Sequence, residues 1–190
     1  WDQRDSISFL ETEKRILKPL NYPEKAIGNN YLIHTTANKQ KLAVVCLIGQ
    51  VFMGPANSPF ETIDKFLPEL RKKTKNILVD IHAEATAEKR AIGFYLDGRV
   101  SAVIGTHTHI QTADEEILPQ GTAYITDVGM TGPHDSVIGI KKDIILERMV
   151  TGIPTRYEVS SEGLQINAIF INIDDKTGRA VEIQRIKRKV

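Results

Sequence analysis

Three of the five histidines in this 190-residue chain stand where an apolar run ends. His82 closes the run in NILVDIHAEA (76–85), and His107 and His109 follow VSAVIG as a His-x-His pair. Imidazole is a borderline ligand suited to zinc, iron, manganese and similar ions. Three imidazoles drawn to one place would therefore form part of a metal site. Taken singly, each has a plainer reading: His82 as a hydrogen-bonded rim residue, the His-x-His as a solvated loop. Their joint position at two strand ends is what points to metal. Asp80 and Glu84 flank His82 with the same parity, and Asp127 ends YITDVG. Each is an expected partner that orients an imidazole from behind, although Asp127 also suits an Asx-type turn at a strand exit. His134, in GPHD, is a loop histidine and a candidate to reach substrate. Thr106 and Thr108 read as β-favouring residues.

The elements that must position these residues follow from periodicity. KLAVVCLIG (41–49) is a near-continuous apolar run of strand length, as in a central parallel strand. Residues 76–109 spell strand, helix, strand over about the length of one βαβ unit. A right-handed crossover puts the carboxyl ends of both strands on one sheet edge, where α/β folds hold their sites. If extended geometry persists through residue 109, the period of two points His107 and His109 the same way. Elsewhere, residues 2–18 predict an amphipathic helix ended near Pro19. Ser58 and Pro59 predict the cap and first residue of a helix to about Lys75, with Pro68 expected to kink or split it. Thr86 predicts the cap of a helix closed by Gly98. TAYITDVG (122–129) is a further strand, and DIILERMV (143–150) a short helix. The alternating stretches TRYEVSS, LQINAIFINID and AVEIQRIKRK predict a three-stranded antiparallel meander. His34 is expected on an exposed strand or turn.

Composition narrows the function classes. The chain is 41% hydrophobic and 26% charged, with a formal charge of +1, as in ordinary globular domains. That balance gives no reason to expect DNA or an anionic membrane as partner, and the basic end QRIKRKV reads as a solvated edge. No apolar run approaches the roughly 20 residues needed to span a bilayer. Cys46, the single cysteine, suits a reducing compartment and, within LAVVCLIG, a buried small hydrophobe. WDQRDSISFL has no apolar signal-peptide core, so a cytoplasmic location is expected. Gly129, Gly132 and Gly139 match no P-loop spacing and predict a flexible connection. A hydrolytic dinuclear site also needs carboxylates to offset the metal charge, and no Gly-Asn-His is present.

Beyond these patterns, DIHAEATAEKRAIGFYLDGRVSAVIGTHTHIQTAD and LPQGTAYITDVGMTGPHDSVIG closely resemble the bacterial YmdB-like branch of the calcineurin-like metallophosphoesterases. The resemblance covers nearly the whole chain. It implies an α/β fold, a four-layer α/β/β/α sandwich, here incomplete, with a C-terminal antiparallel meander. It implies hydrolysis of phosphoesters such as 2′,3′-cyclic nucleotides through two metal ions, iron or manganese foremost, with magnesium or zinc as alternatives. His82, His107 and His109 match the family's histidine ligands, with His82 and His107 sharing one metal and His109 serving the other. The family's aspartate, Glu-Asn and Gly-Asn-His-Thr motifs, including the histidine that protonates the leaving oxygen, precede a Trp-Asp that matches Trp1-Asp2. Residues 1–190 are therefore expected to be the carboxyl-terminal part of a single metallophosphoesterase domain, with negligible turnover on their own and a possible homo-oligomeric state. The rival expectations are a non-catalytic binding or regulatory module on the same scaffold and a mononuclear zinc hydrolase.

Overall fold

The structure, a computed structural model, describes residues 4–190. Trp1 and Asp2, on which the expectation about the chain's start rests, lie outside the described residues. The first described segment departs from the expected helix over 2–18. A 3-10 turn over Arg4–Ser6 leads into α1 (Ile7–Thr12), and Glu13 is already extended. Tertiary bonds draw the chain out of the helix: the buried Lys18 donates its Nζ to the carbonyl of Ala26, and the Leu20 amide donates to the Cys46 carbonyl. Local propensity yields to such contacts routinely. Asn21, fully buried, donates to the Ile48 and Asn57 carbonyls and accepts from the Ile48 amide, while its own carbonyl accepts from the Asn57 amide.

β1 (Leu32–Thr35), with His34 exposed, pairs antiparallel with β2 (Lys41–Ile48). α2 (Pro59–Lys73) starts as expected, with the Ser58 hydroxyl accepting from the Glu61 amide. Pro68 does not split it, because it lies on the exposed face of a helix held by the burial of Ile63, Leu67 and Leu70. β3 (Asn76–His82) leads to α3 (Thr86–Tyr95) and β4 (Ala102–Thr106). The cap of α3 is Ala85, not Thr86, since the Ala85 carbonyl already accepts from the Lys89 amide. Gly98 (φ 73°) turns the chain beyond the helix, as expected. β5 (Glu116–Ile117), β6 (Ala123–Ile125), β7 (Gly132–Pro133), α4 (Lys142–Thr151), β8 (Leu164–Ile173) and β9 (Ala180–Lys189) complete the order.

One sheet runs β1-β2-β3-β4-β6-β5, with β2, β3, β4 and β6 parallel and antiparallel strands at both edges. A second, antiparallel sheet runs β7-β8-β9. The fold is the mixed α/β architecture expected, with an antiparallel sheet at the C-terminal end. Its third strand, however, is Gly132–Pro133 and not TRYEVSS. Tyr157 and Val159 are half or more exposed, so that stretch has no apolar face to bury, and only an isolated bridge joins Val159 to Ile140. Alternation without a buried face does not fix a strand.

The core divides by parity. Ile77, Val79 and Ile81 of β3 face α2 and α3 in one cluster with Ile63, Leu67, Ile92 and Leu96. Each such fully buried side chain contributes about 1.5–3 kcal/mol. On the other face Leu78, Ala102 and Ala123 meet Ala180, Ile171 and Ile183 of the second sheet. Asp80 and His82 share the parity of Leu78, so they project from that second face. Gly105 permits the tightest approach: a Cβ there would stand 1.7 Å from the Thr126 carbonyl oxygen. That contact explains why a glycine precedes THTH.

Candidate metal centre

β3 and β4 end side by side, with His82 opposite Thr106 in the parallel register. The Thr106 hydroxyl donates to Asp80 at 2.8 Å, so its oxygen accepts from His82 Nδ1 at 3.0 Å. This leaves Nε2 as the lone-pair nitrogen of His82, and it faces His107 Nδ1 at 3.0 Å. The two rings meet edge to face with centroids 4.8 Å apart. His107 Nε2 lies 3.1 Å from Glu84 Oε2. Burial, reinforced by the neighbouring His107 and Lys89, holds the His82 imidazole below its ordinary pKa, in the neutral form a metal requires. Burial pushes Asp80 up to about 6, the Asp127 charge adding to it and the Thr106 bond opposing it.

The strand does not persist through residue 109. It ends at Thr106, and His107 and His109 adopt φ of 106° and 68°. The two histidines therefore part instead of sharing a face. His109 donates from Nδ1 to the Ile138 carbonyl at 2.9 Å, leaving its Nε2 as the lone-pair nitrogen. The cause of the turn is Thr108, which is drawn inward by Asp127: Oδ2 accepts from the Thr108 amide at 3.0 Å and hydroxyl at 2.7 Å. Non-glycine residues at positive φ cost energy, and these bonds offset it.

Of the two expectations for Asp127, the structure shows the Asx-type turn, with the Gly129 amide donating to its side chain, and no hydrogen bond to an imidazole. Asp127 binds Lys89 Nζ at 2.7 Å and the Gly129 amide at 2.8 Å. Both side chains of the Lys89–Asp127 pair are 1% exposed. Burial works to raise the Asp127 pKa, yet the bonds from Lys89, Thr108 and Gly129 outweigh it and hold the carboxyl below its usual range. His134 lies elsewhere, donating from Nε2 to the Met130 carbonyl at 3.0 Å beside Gln165 of β8. In the glycine loop, the Gly129 amide is spent on Asp127 and the Gly139 amide on the Ser136 hydroxyl.

The structure thus brings together two of the three expected imidazoles, with Glu84 beside them. Among the described residues no group of three or more His, Cys, Asp or Glu side chains is arranged to hold a metal ion as it stands. The donor chemistry nevertheless fits such an ion. His82 is neutral, with Nδ1 anchored and Nε2 presented, and His107 and Glu84 add an imidazole and a carboxylate of the kinds zinc, iron and manganese accept. Thr106 and Lys89 are the residues that sequence reasoning missed. Lys89 could have been found: Lys89, Ile92, Gly93 and Leu96 follow the i, i+3, i+4, i+7 stripe of a buried helix face.

With that geometry in place, comparison with known proteins decides the family. The profile of a family described as YmdB-like protein matches residues 1–186. The chain belongs to the YmdB-like family. It is 45% identical over 186 residues to a 2′,3′-cyclic-nucleotide 2′-phosphodiesterase of Bacillus subtilis (strain 168), covering 98% of this chain and 70% of that protein. A crystal structure of a hypothetical protein from Thermus thermophilus superposes with a TM-score of 0.91 at 39% identity, over 100% of this chain and 73% of that one. A novel phosphatase from Mycoplasma pneumoniae superposes with a TM-score of 0.90 at 33% identity, over 100% of this chain and 69% of that one. Family membership agrees with the resemblance carried by the motifs around His82, His107 and His109.

Proposed function

We propose that this YmdB-like chain carries the histidine side of a metal-dependent phosphodiesterase, a phosphoric diester hydrolase acting on phosphoesters such as 2′,3′-cyclic nucleotides. The observation that carries the reading is the meeting of His82 and His107 at two adjacent strand ends. It occurs in a chain 45% identical to a protein named for 2′,3′-cyclic-nucleotide hydrolysis. Metal ions, iron or manganese foremost, would supply Lewis acidity toward the phosphoryl oxygens. His82, His107 and Glu84 are the residues proposed to hold one ion, and His109 to serve a second.

The chain's own residues do the positioning. The Asp80–Thr106 relay fixes the tautomer and direction of His82, so Nε2 carries the lone pair on the side that faces His107. The Lys89–Asp127 pair anchors Thr108 and thereby sets the different headings of His107 and His109. The carbonyl of Ile138 holds the His109 ring through Nδ1. Such anchoring from behind typically changes metal affinity or activity by about 10–100-fold when removed.

The test is His107→Ala in the full-length protein, with bound metal measured by elemental analysis and turnover measured on 2′,3′-cyclic AMP. Loss of metal together with loss of turnover is expected. Full metal content with normal turnover would overturn the assignment.

A further inference from the structure

A basic pocket opens at the amino-terminal edge of the parallel sheet, the edge opposite His82 and His107. It encloses about 380 Å³ and is lined by Arg71, Lys75, Arg99, Val100, Thr177 and Arg179, with Gly98 and Gly178. The four cations arrive from four places: the last turn of α2, the lead into β3, the turn before β4 and the turn before β9. Arg71 also answers the C-terminal dipole of α2, and Arg99 is held by Asp64 and the Tyr95 carbonyl at the end of α3, but Lys75 and Arg179 have no such helix end to answer.

Direct ion pairing is scarce. Arg99 pairs with Asp64 at 2.5 Å. None of the ion pairs formed among the described residues engages Arg71, Lys75 or Arg179. Arg71 donates to the Gly98 carbonyl at 3.3 Å and Lys75 to the Lys176 carbonyl at 2.9 Å, contacts that steady the cationic heads without neutralising them. The carboxylates of the adjoining turns keep their charge but direct their oxygens to amide donors, and none forms an ion pair with Arg71, Lys75 or Arg179 among the described residues. Asp97 accepts from the Gln120 and Thr122 amides, Asp174 from the Lys176 and Thr177 amides, and Asp175 from the Asn76 side chain.

Val100 is the only apolar side chain in the lining, and no aromatic ring is present there for a base to stack on. The recognition available is therefore charge and planar guanidinium forks, which match phosphoryl oxygens. The volume lies at the small end of the roughly 300–1,000 Å³ typical of ligand sites. We propose that this pocket binds a small polyphosphate anion, two or more linked phosphoryl groups, at a site separate from the candidate metal centre. β3 spans the sheet between the two, from Asn76 to His82, a separation of roughly 20 Å at about 3.3 Å per residue. The proposal does not depend on the phosphodiesterase reading.

Isothermal titration of the purified protein with pyrophosphate and with ADP, in the presence of EDTA so that metal cannot contribute, tests it. Saturable one-to-one binding is expected, weaker at high salt and weakened about tenfold or more in the Arg71→Gln/Arg179→Gln double variant. Both positions are exposed, so the variant should fold, as circular dichroism will verify. Binding in His82→Ala is expected to be unchanged. Equal affinity for the two probes assigns the phosphate chain itself as ligand, and tighter binding of ADP assigns a nucleotide. Absence of saturable binding, or binding that survives in the double variant and disappears in His82→Ala, overturns the proposal.

Discussion

Two carboxylates stand behind the candidate metal centre, Asp127 buried and Asp80 half-buried, and they are built on opposite plans. Asp127 faces a lysine, two donors from Thr108 and the Gly129 amide, and stays ionised despite burial. Asp80 receives a hydrogen bond from the Thr106 hydroxyl, has no cation in contact among the ion pairs of the described residues, and is pushed up to about 6. The difference follows what each must hold. His82 is already fixed by the parallel ladder between β3 and β4, so a relay that contains no cation is enough to orient its ring. His107 and His109 leave the ladder at positive φ, and only a strong, charge-assisted anchor on Thr108 keeps that backbone in place. Charge is used where secondary structure stops.

The contrast can be broken most forcefully from the charged side. Lys89→Met leaves Asp127 ionised and buried without its cation, and breaking a pair this buried costs about 3–5 kcal/mol. Urea denaturation should register that loss, and His107→Ala combined with it should cost little more, since His107 is half-exposed. A cost below about 1 kcal/mol for Lys89→Met would mean that the pair does not anchor the loop.

A smaller effect is expected at Asp80, and only through pH. Its folded pKa lies above the ordinary value of 3.8, at about 6. The folded state therefore binds this proton more tightly, and the contribution to stability is complete below about pH 4 and lost as pH rises to about 6. In metal-free protein, wild type should lose stability relative to Asp80→Asn across that window and run parallel to it above. A constant difference between the two from pH 4 to 7 would contradict the raised Asp80 pKa.

The mildest prediction concerns Cys46, whose thiol is pushed up to about 12, chiefly by burial, with the Asp80 charge adding to it. Thiolate is the reactive form. Iodoacetamide at pH 8 should therefore alkylate Cys46 far more slowly in the folded protein than in urea, with Asp80→Asn raising the folded rate only slightly. Equal rates folded and unfolded would show the thiol to be open.

The sequence made the parallel strands and their shared edge legible because β2, β3 and β4 are written as short apolar runs bounded by turn residues. The meeting of His82 and His107 follows from that edge alone. The separate heading of His109 does not, because it depends on positive φ values imposed by a lysine of one helix and an aspartate in the loop after β6, far apart in sequence. The true third strand of the antiparallel sheet was hidden for a related reason: Gly132–Pro133 carries no alternation at all and pairs with β8 only because the loop from Asp127 delivers it there. Residues 13–18 left their helical pattern for the same kind of distant bond, here from Lys18 and Leu20.

Asn21 has a further consequence. Through Ile48 and Asn57 it fastens both ends of the segment between β2 and α2 to a single side chain. The span between those two points, with Phe52 89% exposed at φ 61°, is thereby insulated from the strand that leads into it. Beyond the Val51 amide, which donates to Glu88, lengthening residues 52–55 would add mainly loop-closure entropy, about 0.6 kcal/mol for each doubling of length. The rim beside His82 is thus a place where this scaffold can acquire new contacts without disturbing the histidines it already holds.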